Sequence, residues 1–391
     1  MGERGDQHGA ATFPWSFIPA PGPGERRADY FTWPDVALAG LRFPYFALRG
    51  REPGPTVLVI SGIHGGEYPG PLGAIALGRE LDPATLRGAL LILPLVNLPA
   101  FWARAAFVTP GDGRNLNRAF PGKPAGTISE VLAHRLLTDV VEPADAVIDL
   151  HSGDIFEALA DHTGHFQTAD ATVTARNEAM VAAFGLPYAG TYPAPTASRS
   201  LVGNTALRGK AAIIVEVGGN GLVSPAQVAT VQEGVREALR ALGLLPGTPR
   251  VVPTTPIVGA AQVVAPVTGL WRPAVAIEQE VAAGDRLGTL TDPLGEPLAD
   301  VTAPCAGMVL YHLTSLAVHE GEPLVNLGSR QSAVGSKDFG GPFALLDEHG
   351  LSSTFLPTAD SLRRRLQLPA EVGDQRVQPL VAPDERAEFA A

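Results

Sequence analysis

Runs of consecutive apolar residues recur along the chain, and several of them stop at a polar residue. Four or more apolar residues in a row, many of them β-branched, predict strands buried on both faces of a sheet. Such strands are predicted at residues 57–61, 90–96, 146–151 and 211–217. Helices are predicted between and after them, at residues 68–81, 127–141, 172–184 and 226–242. Apolar strands alternating with helices indicate a parallel sheet with right-handed crossovers.

The character of the sequence changes along the chain and predicts four regions. Residues 1–28 are rich in proline, glycine and charge, and we expect them to be loosely ordered. Residues 29–245 form the α/β domain, residues 250–329 a small β domain, and residues 330–391 a tail of unknown role. The β domain repeats itself, because Ala-Pro-Val-Thr-Gly at 265–269 returns as Ala-Pro-Cys-Ala-Gly at 303–307. This repeat predicts a β-sandwich of two similar halves.

Composition narrows the classes of protein to consider. The net charge of −11 argues against nucleic acid as a partner, because phosphate binding needs a basic surface. Cys305 is the only cysteine, which excludes an internal disulfide. No apolar run approaches the roughly 20 residues that span a bilayer, and the first residues lack the apolar core of a signal peptide. We expect a soluble cytoplasmic protein without membrane partners, and the sequence leaves its oligomeric state open, a homo-oligomer included.

Three of the predicted strands end near side chains that bind metals or transfer protons. His64 and Glu67 follow the first strand in a glycine-rich turn, His151 ends the third and Glu216 lies near the end of the fourth. The carboxyl ends of parallel strands are where open α/β sheets bind ligands. Two histidines and one carboxylate are the ligand set of a catalytic zinc with an open position for water.

A further carboxylate, free of the metal, could take a proton from that water and pass it to a leaving nitrogen. Glu216 is the candidate, because burial in an apolar strand raises the pKa of a carboxyl group. The alternative is a carboxylate at a strand end that pairs with a nearby cation.

Other polar residues allow two interpretations each. Asn117 and Arg118 lie in a long irregular segment, residues 98–126, where they could hold a substrate carboxylate or simply be solvated. His162 and His165 could form a second metal site, but a loop beyond the third strand is the simpler interpretation. Asp149 could orient a metal ligand or merely end its strand.

Four motifs together resemble the succinylglutamate desuccinylase/aspartoacylase family, a branch of the zinc-carboxypeptidase-like hydrolases. They are Ser-Gly-Ile-His-Gly-Gly-Glu at 61–67, Arg-Asn-Leu-Asn-Arg-Ala-Phe-Pro-Gly at 114–122, Asp-Leu-His-Ser-Gly at 149–153 and Val-Glu-Val-Gly-Gly at 215–219. The resemblance covers roughly residues 40–330. It implies a mixed, mostly parallel α/β sheet with helices on both faces, followed by a small C-terminal β barrel-sandwich domain.

The resemblance also implies roles for individual residues. His64, Glu67 and His151 match the ligands of one zinc ion, and Glu216 matches the glutamate that activates water. Asn117 and Arg118 match the pair that binds the substrate carboxylate.

The chain departs from the family at one position. Relatives carry an arginine shortly before the Asn-Arg pair, thought to polarise the scissile carbonyl. Here residues 105–110 read Ala-Ala-Phe-Val-Thr-Pro. Arg104 and Arg114 are the nearest substitutes, although neither has the expected spacing.

The C-terminal region resembles biotinyl and lipoyl carrier domains. Those carriers need a lysine at a hairpin tip, and residues 246–330 contain none. A structural lid that narrows the mouth of the site is therefore the better interpretation.

These observations favour a zinc-dependent amide hydrolase that removes an acyl group from an N-acyl amino acid or a similar small molecule. The alternative enzyme is a zinc carboxypeptidase acting on a short or modified peptide. From a different class, the chain could be a non-catalytic metal-binding protein.

Overall fold

The computed structural model describes residues 13–257 and 259–329. The first part contains ten strands: β1 (Glu25–Phe31), β2 (Phe43–Arg49), β3 (Glu52–Ser61), β4 (Arg87–Leu93), β5 (Ala146–His151), β6 (Glu157–Leu159), β7 (His162–Phe166), β8 (Tyr188–Tyr192), β9 (Ala211–Glu216) and β10 (Thr255–Ile257). Its helices are α1 (Pro69–Glu80), α2 (Leu98–Ala103), α3 (Ile128–Arg135), α4 (Ala171–Phe184), α5 (Leu201–Leu207) and α6 (Pro225–Ala241). The second part contains β11 (Gly259–Val264), β12 (Gly269–Pro273), β13 (Glu280–Val281), β14 (Arg286–Thr291), β15 (Pro297–Thr302), β16 (Gly307–Leu313), β17 (Ala317–Val318) and β18 (Pro323–Ser329).

The first part is built on a nine-stranded sheet. Its strand order is β1-β2-β4-β3-β5-β9-β7-β8-β10. The pairings among β4, β3, β5 and β9, and those among β7, β8 and β10, are parallel, and the other three are antiparallel. The predicted mixed, mostly parallel sheet is confirmed.

Helices cover both faces of this sheet. Residues of α1, α4 and α6 pack in one buried cluster with the inner strands. Residues of α3 and α5 belong to a second buried cluster, which contains side chains from the opposite faces of the same strands. The inner strands are therefore buried on both sides, which explains why they read as continuous apolar runs.

The sequence pattern predicts the four inner strands β3, β4, β5 and β9 and the helices α1, α3, α4 and α6. The third predicted strand coincides with β5, and helix α3 begins after a capping box formed by Thr127 and Glu130. A π-helical segment, Leu136–Val141, continues this helix to the predicted end. The short helices α2 and α5 were not predicted. Residues 98–126, expected to be irregular, begin with α2 and contain a 3-10 turn at Leu116–Arg118.

The described part of the N-terminal segment is packed against the domain, in contrast to the expected loose order. Trp15 is 1% exposed, and its indole N–H donates to the backbone oxygen of Val140 at 2.8 Å. Strand β1 begins at Glu25, inside the same segment. A tryptophan that buries its ring and satisfies its N–H can order a sequence rich in glycine and proline.

The C-terminal strands form two antiparallel sheets that share one buried cluster. Strand β10, beyond the expected boundary at residues 245–250, still belongs to the central sheet. The repeated Ala-Pro motifs precede β12 and β16. The sequence repeat therefore corresponds to equivalent strands of the two sheets. Residues 330–391 lie outside the described residues.

One strand joins the two parts of the chain. Strand β6 follows the end of β5 in sequence, yet it pairs antiparallel with β16 of the C-terminal sheet. The backbone N–H of Thr314 also donates to the oxygen of Phe156 at 2.8 Å, and that of Ala160 to the oxygen of Leu310 at 2.9 Å. The segment after β5 is thus fixed by the C-terminal domain.

None of the helices in the described ranges is long and apolar enough to cross a membrane.

Candidate active site

The glycine-rich turn after β3 brings its histidine and glutamate into the protein interior. A Cβ on Gly65 would lie 2.3 Å from the backbone of Ala100, and one on Gly66 would lie 1.9 Å from the Asp154 carboxylate. Only glycine permits such close approach. The two glycines therefore let the turn pack against α2 and the segment after β5, with His64 and Glu67 on either side.

The three side chains predicted to bind metal meet at the ends of β3 and β5. One ligand atom from each of His64, Glu67 and His151 can be chosen so that all three atoms lie within 4.8 Å of one another. His64 Nδ1 is 2.6 Å from Glu67 Oε1, and His151 Nδ1 is 3.0 Å from Glu67 Oε2. Burial alone would raise the pKa of Glu67, but the two imidazoles hold it at about 2. An ionised carboxylate facing two Nδ1 atoms is a donor set that suits a divalent cation.

Oxygen atoms also lie beside the far nitrogen of each histidine. His64 Nε2 is 3.0 Å from the side-chain oxygen of Asn115. His151 Nε2 is 3.2 Å from Asp149 Oδ1, close enough for an ion pair although outside hydrogen-bond geometry. Such acceptors favour a proton on Nε2 and leave Nδ1 free to bind a metal. Asn115 was not predicted, because its role depends on a contact across 51 positions.

Glu216 lies on the strand next to His151. The two residues are partners in the parallel pairing of β5 and β9, and both line one cavity. Glu216 Oε2 is buried and has no hydrogen-bond partner among the described residues. Burial raises the pKa of this carboxyl group well above its usual value. The carboxylate is therefore available to exchange a proton inside the cavity.

Asn117 and Arg118 line the same cavity. The side-chain oxygen of Asn117 accepts the backbone N–H of Leu201 at 3.0 Å, which leaves its NH₂ group as the donor for a ligand. Asn115 also accepts the backbone N–H of Asn117 at 2.8 Å, so one side chain contacts both His64 and the Asn-Arg segment.

Phe107 lies in the segment, residues 105–110, where the family resemblance led us to expect an arginine. It lines the cavity and adopts a left-handed backbone with φ of 61°. Its N–H donates to Asp154 Oδ2 at 2.7 Å, which supports this unusual conformation. Neither proposed substitute lines this cavity: Arg104 caps the end of α2, and Arg114 contacts Glu130 at 3.0 Å. The cavity wall here is apolar.

Two further residues of the cavity were missed by the sequence analysis. Glu157 comes from β6 and Tyr311 from β16, and a hydrogen bond joins their side chains. Burial raises the pKa of Glu157 to about 7. Only the pairing of β6 with β16 brings them together, and no motif in the sequence indicates that pairing.

His162 and His165 lie on strand β7, which corrects their expected position on a loop. His162 Nδ1 is 2.8 Å from the oxygen of Ala160, and His165 Nε2 is 3.3 Å from the hydroxyl of Thr191. Within the described residues, the candidate metal cluster consists of His64, Glu67 and His151 alone.

Burial of His162 predicts a loss of stability on acidification. Burial lowers its pKa to about 4, whereas an unfolded histidine titrates near 6.5. Between these two pKa values, the unfolded chain binds a proton that the folded protein does not bind. The free energy of unfolding therefore decreases as the pH is lowered. We expect wild type to lose about 2 kcal/mol more than His162→Gln between about pH 7.5 and pH 5 in urea unfolding. Exposed His319→Gln is the control, and equal losses in wild type and His162→Gln would contradict the expectation.

Comparisons with known proteins show which family this chain resembles. The sequence model of the succinylglutamate desuccinylase/aspartoacylase catalytic domain matches residues 53–242. The N-alpha-acetyl-L-2,4-diaminobutyric acid deacetylase of Halomonas elongata is 32% identical over 68% of this chain and 79% of its own. The crystal structure of succinylglutamate desuccinylase/aspartoacylase from Rhodobacter sphaeroides superimposes with a TM-score of 0.72 at 28% identity, covering 81% of this chain and 98% of that one.

A second solved structure has the same degree of likeness. The product-bound ectoine utilization protein EutE (DoeB) from Ruegeria pomeroyi has a TM-score of 0.72 and 26% identity, covering 80% of this chain and 97% of its own. The match therefore extends over both the catalytic domain and the C-terminal strands. The family model and these relatives show that the chain belongs to the succinylglutamate desuccinylase/aspartoacylase family.

Proposed function

We propose that the protein is a zinc-dependent hydrolase that removes a small acyl group from an N-acyl amino acid. The observation that carries this proposal is the meeting of three ligand atoms within 4.8 Å in a cavity that also contains Glu216, Asn117 and Arg118. Metal, proton acceptor and carboxylate-binding groups are the parts that amide hydrolysis of such a substrate requires.

His64, Glu67 and His151 would hold one zinc ion. Bound zinc supplies a Lewis acid that polarises a carbonyl and acidifies water. The residues fit this ion, since they provide two imidazole nitrogens and an ionised carboxylate and include no thiolate. Asn115 and Asp149 would keep the two imidazole rings in the orientation needed for binding.

Glu216 would move the proton during the reaction. Its buried, unpartnered oxygen can accept a proton from the attacking water and return it to the leaving nitrogen. The raised pKa of this group favours the first of these steps, because a weakly acidic carboxyl is a stronger base when ionised.

Asn117 and Arg118 would bind the carboxylate of the amino acid. The Asn117 oxygen is already used by Leu201, so its NH₂ group and the Arg118 guanidinium present donors alone. The attraction between guanidinium and carboxylate would align the amide bond with the metal and Glu216.

Deacylation fits the chain better than peptide cleavage. The curated relative is a deacetylase of a small N-acetyl amino acid by its name. Tyr311 and the paired strand β6 also form one wall of the cavity, and a fixed wall restricts the space available to a peptide. A cytoplasmic location and the action on free small molecules remain predictions.

The test compares N-acetyl and N-succinyl amino acids with dipeptides of matched composition. We expect hydrolysis of an N-acyl amino acid at least about tenfold faster than of any dipeptide, measured as amine release. Removal of metal with a chelator should abolish the activity, and one equivalent of zinc should restore it. Faster cleavage of dipeptides would favour the carboxypeptidase, and bound zinc without turnover of any substrate would favour a non-catalytic protein.

A further inference from the structure

A strained turn places Phe107 in the cavity wall. Phe107 lines the cavity and has a backbone φ of 61°. The N–H of Val108 donates to the oxygen of Ala106 at 2.7 Å, which closes a three-residue turn with Phe107 at its centre. A positive φ at the centre of such a turn is rare, and a bulky side chain makes it unfavourable. Strain of this kind persists only where surrounding contacts enforce it, and it is concentrated at functional sites.

The turn is anchored on both sides. The N–H of Ala105 donates to the oxygen of Ala100 in α2 at 3.0 Å. The hydroxyl of Thr109, which is fully buried, accepts the side-chain amide of Asn97 at 2.9 Å. Only residues 106–108 lie between these anchors, so the turn has few alternative conformations and one further contact can select among them.

Asp154 supplies that contact. Its Oδ2 accepts the N–H of Phe107 at 2.7 Å, and its Oδ1 accepts the N–H of Ile155 at 2.7 Å. Asp154 is fully buried, and reciprocal hydrogen bonds with Glu157 fix its backbone. The N–H of Asp154 donates to Glu157 Oε2 at 2.9 Å, and the N–H of Glu157 donates to the oxygen of Asp154 at 3.0 Å. The carboxylate is therefore held independently of the turn that it supports.

Asp154 also packs against the turn that carries two of the proposed metal ligands. A Cβ on Gly66 would lie 1.9 Å from Asp154 Oδ1. Asp154 is not a member of the candidate metal cluster found among the described residues, and each of its two carboxylate oxygens already accepts a backbone N–H. Its contacts therefore relate the position of the Phe107 ring to that of the metal-binding turn.

We propose that Phe107 limits the size of the group that can lie beside the metal, and that Asp154 is the positioning residue that holds Phe107 in place. This inference rests on the proposed function and specifies the space around its zinc ion. The aromatic ring fills space in the cavity wall. The hydrogen bond from its backbone to Asp154 keeps the ring from moving outward when a longer group enters. Without the ring, or without that bond, the cavity admits a longer chain.

The test measures binding of acetohydroxamate and hexanohydroxamate to the zinc-loaded protein by calorimetry. A hydroxamate chelates zinc through both of its oxygens and directs its alkyl chain into the space beside the metal. Where that space is open and apolar, each buried methylene should improve affinity about fourfold. We expect wild type to bind hexanohydroxamate no more tightly than acetohydroxamate, because the Phe107 ring occupies the space that the longer chain needs.

Phe107→Gly removes the ring and suits the positive φ, so this variant should fold. It should bind hexanohydroxamate at least about 10-fold more tightly than wild type does, and acetohydroxamate within about twofold of wild type. Phe156→Ala is the control for loss of an aromatic ring. Phe156 is 44% exposed and lies outside the residues that line the cavity, so this variant should keep the wild-type ratio of the two affinities.

Asp154→Asn tests the positioning role. The amide keeps the size of the side chain but replaces one acceptor oxygen with a donor, so it cannot accept both backbone N–H groups. The variant should retain one zinc per chain and shift the ratio of affinities severalfold toward hexanohydroxamate. In the Phe107→Gly background the same substitution should change the ratio no further, because Asp154 acts through the ring. Additive effects would refute the positioning role, and Phe107→Gly decides the size limit even if Asp154→Asn does not fold.

Two results would overturn the size limit: wild type that binds hexanohydroxamate more tightly than acetohydroxamate, or Phe107→Gly that keeps the wild-type ratio. Hydrolysis of N-acetyl and N-hexanoyl amino acids, measured in parallel, separates this inference from the proposed function. A size limit in binding without any hydrolysis would refute the deacylase alone, and hydrolysis without a size limit would refute the role of Phe107 alone. If neither hydroxamate binds, the zinc site is refuted and the size limit with it.

Discussion

Glu216→Gln is expected to lower kcat about 10²-fold to 10⁴-fold, the usual contribution of a general acid–base. The amide keeps the size of the side chain, but it cannot accept a proton from water. Because Glu216 is not one of the three clustered ligands, the variant should retain one zinc per chain. Its KM for an N-acyl amino acid should stay close to that of wild type, since Asn117 and Arg118 are unchanged.

The measurement combines steady-state kinetics with metal analysis of the same preparation. Loss of zinc together with activity would mean that Glu216 supports the metal site rather than the proton transfer. If the variant keeps activity within about tenfold of wild type, Glu216 is not the general base, and another carboxylate must accept the proton. Glu157 would then be the first candidate, because it lines the same cavity.

His151→Ala is expected to remove the metal and, with it, at least about 10³-fold of the activity. The substitution takes away one of three ligands and leaves Glu67 facing only His64. Two protein ligands fall short of the three that catalytic zinc sites use. Zinc content after dialysis should drop well below one per chain, measured by atomic emission or by a chelating dye.

His165→Ala is the matched control for that variant. His165 is also 2% exposed and lies on the neighbouring part of the same sheet, but it contacts Thr191 rather than the cluster. This control should lose stability and keep its zinc, since it removes buried contacts only. Retention of stoichiometric zinc by His151→Ala, or equal loss in both variants, would refute the assignment of His151 as a ligand.

The meeting of the three proposed metal ligands could be predicted from the sequence, because each follows or ends a strand that the apolar pattern makes evident. Apolar runs buried on both faces end at 61, 151 and 216, and parallel neighbours place those ends at one edge. The glycines at 65 and 66 are explained by the close packing of the turn, which the sequence alone shows only as a motif.

Three other residues of the cavity, Asn115, Glu157 and Tyr311, could not be predicted because their positions depend on long-range contacts. Glu157 and Tyr311 carry no local pattern that relates them, and strand β6 is only three residues long. Asn115 became significant only through its contact with His64. The N-terminal segment was expected to be loosely ordered because of its composition. Trp15 nevertheless packs its ring in the core and anchors the described part of that segment.

The pairing of β6 with β16 also has a consequence for the order of folding during synthesis. A ribosome makes the segments with the three proposed metal ligands long before it makes the strand that holds residues 157–159 in place. Contacts so distant in sequence form late, after the loop between them has closed. The nascent α/β domain would therefore lack its Tyr311 wall until the chain has been made through Leu313. The cavity would therefore be complete only after nearly the whole described chain has been synthesised.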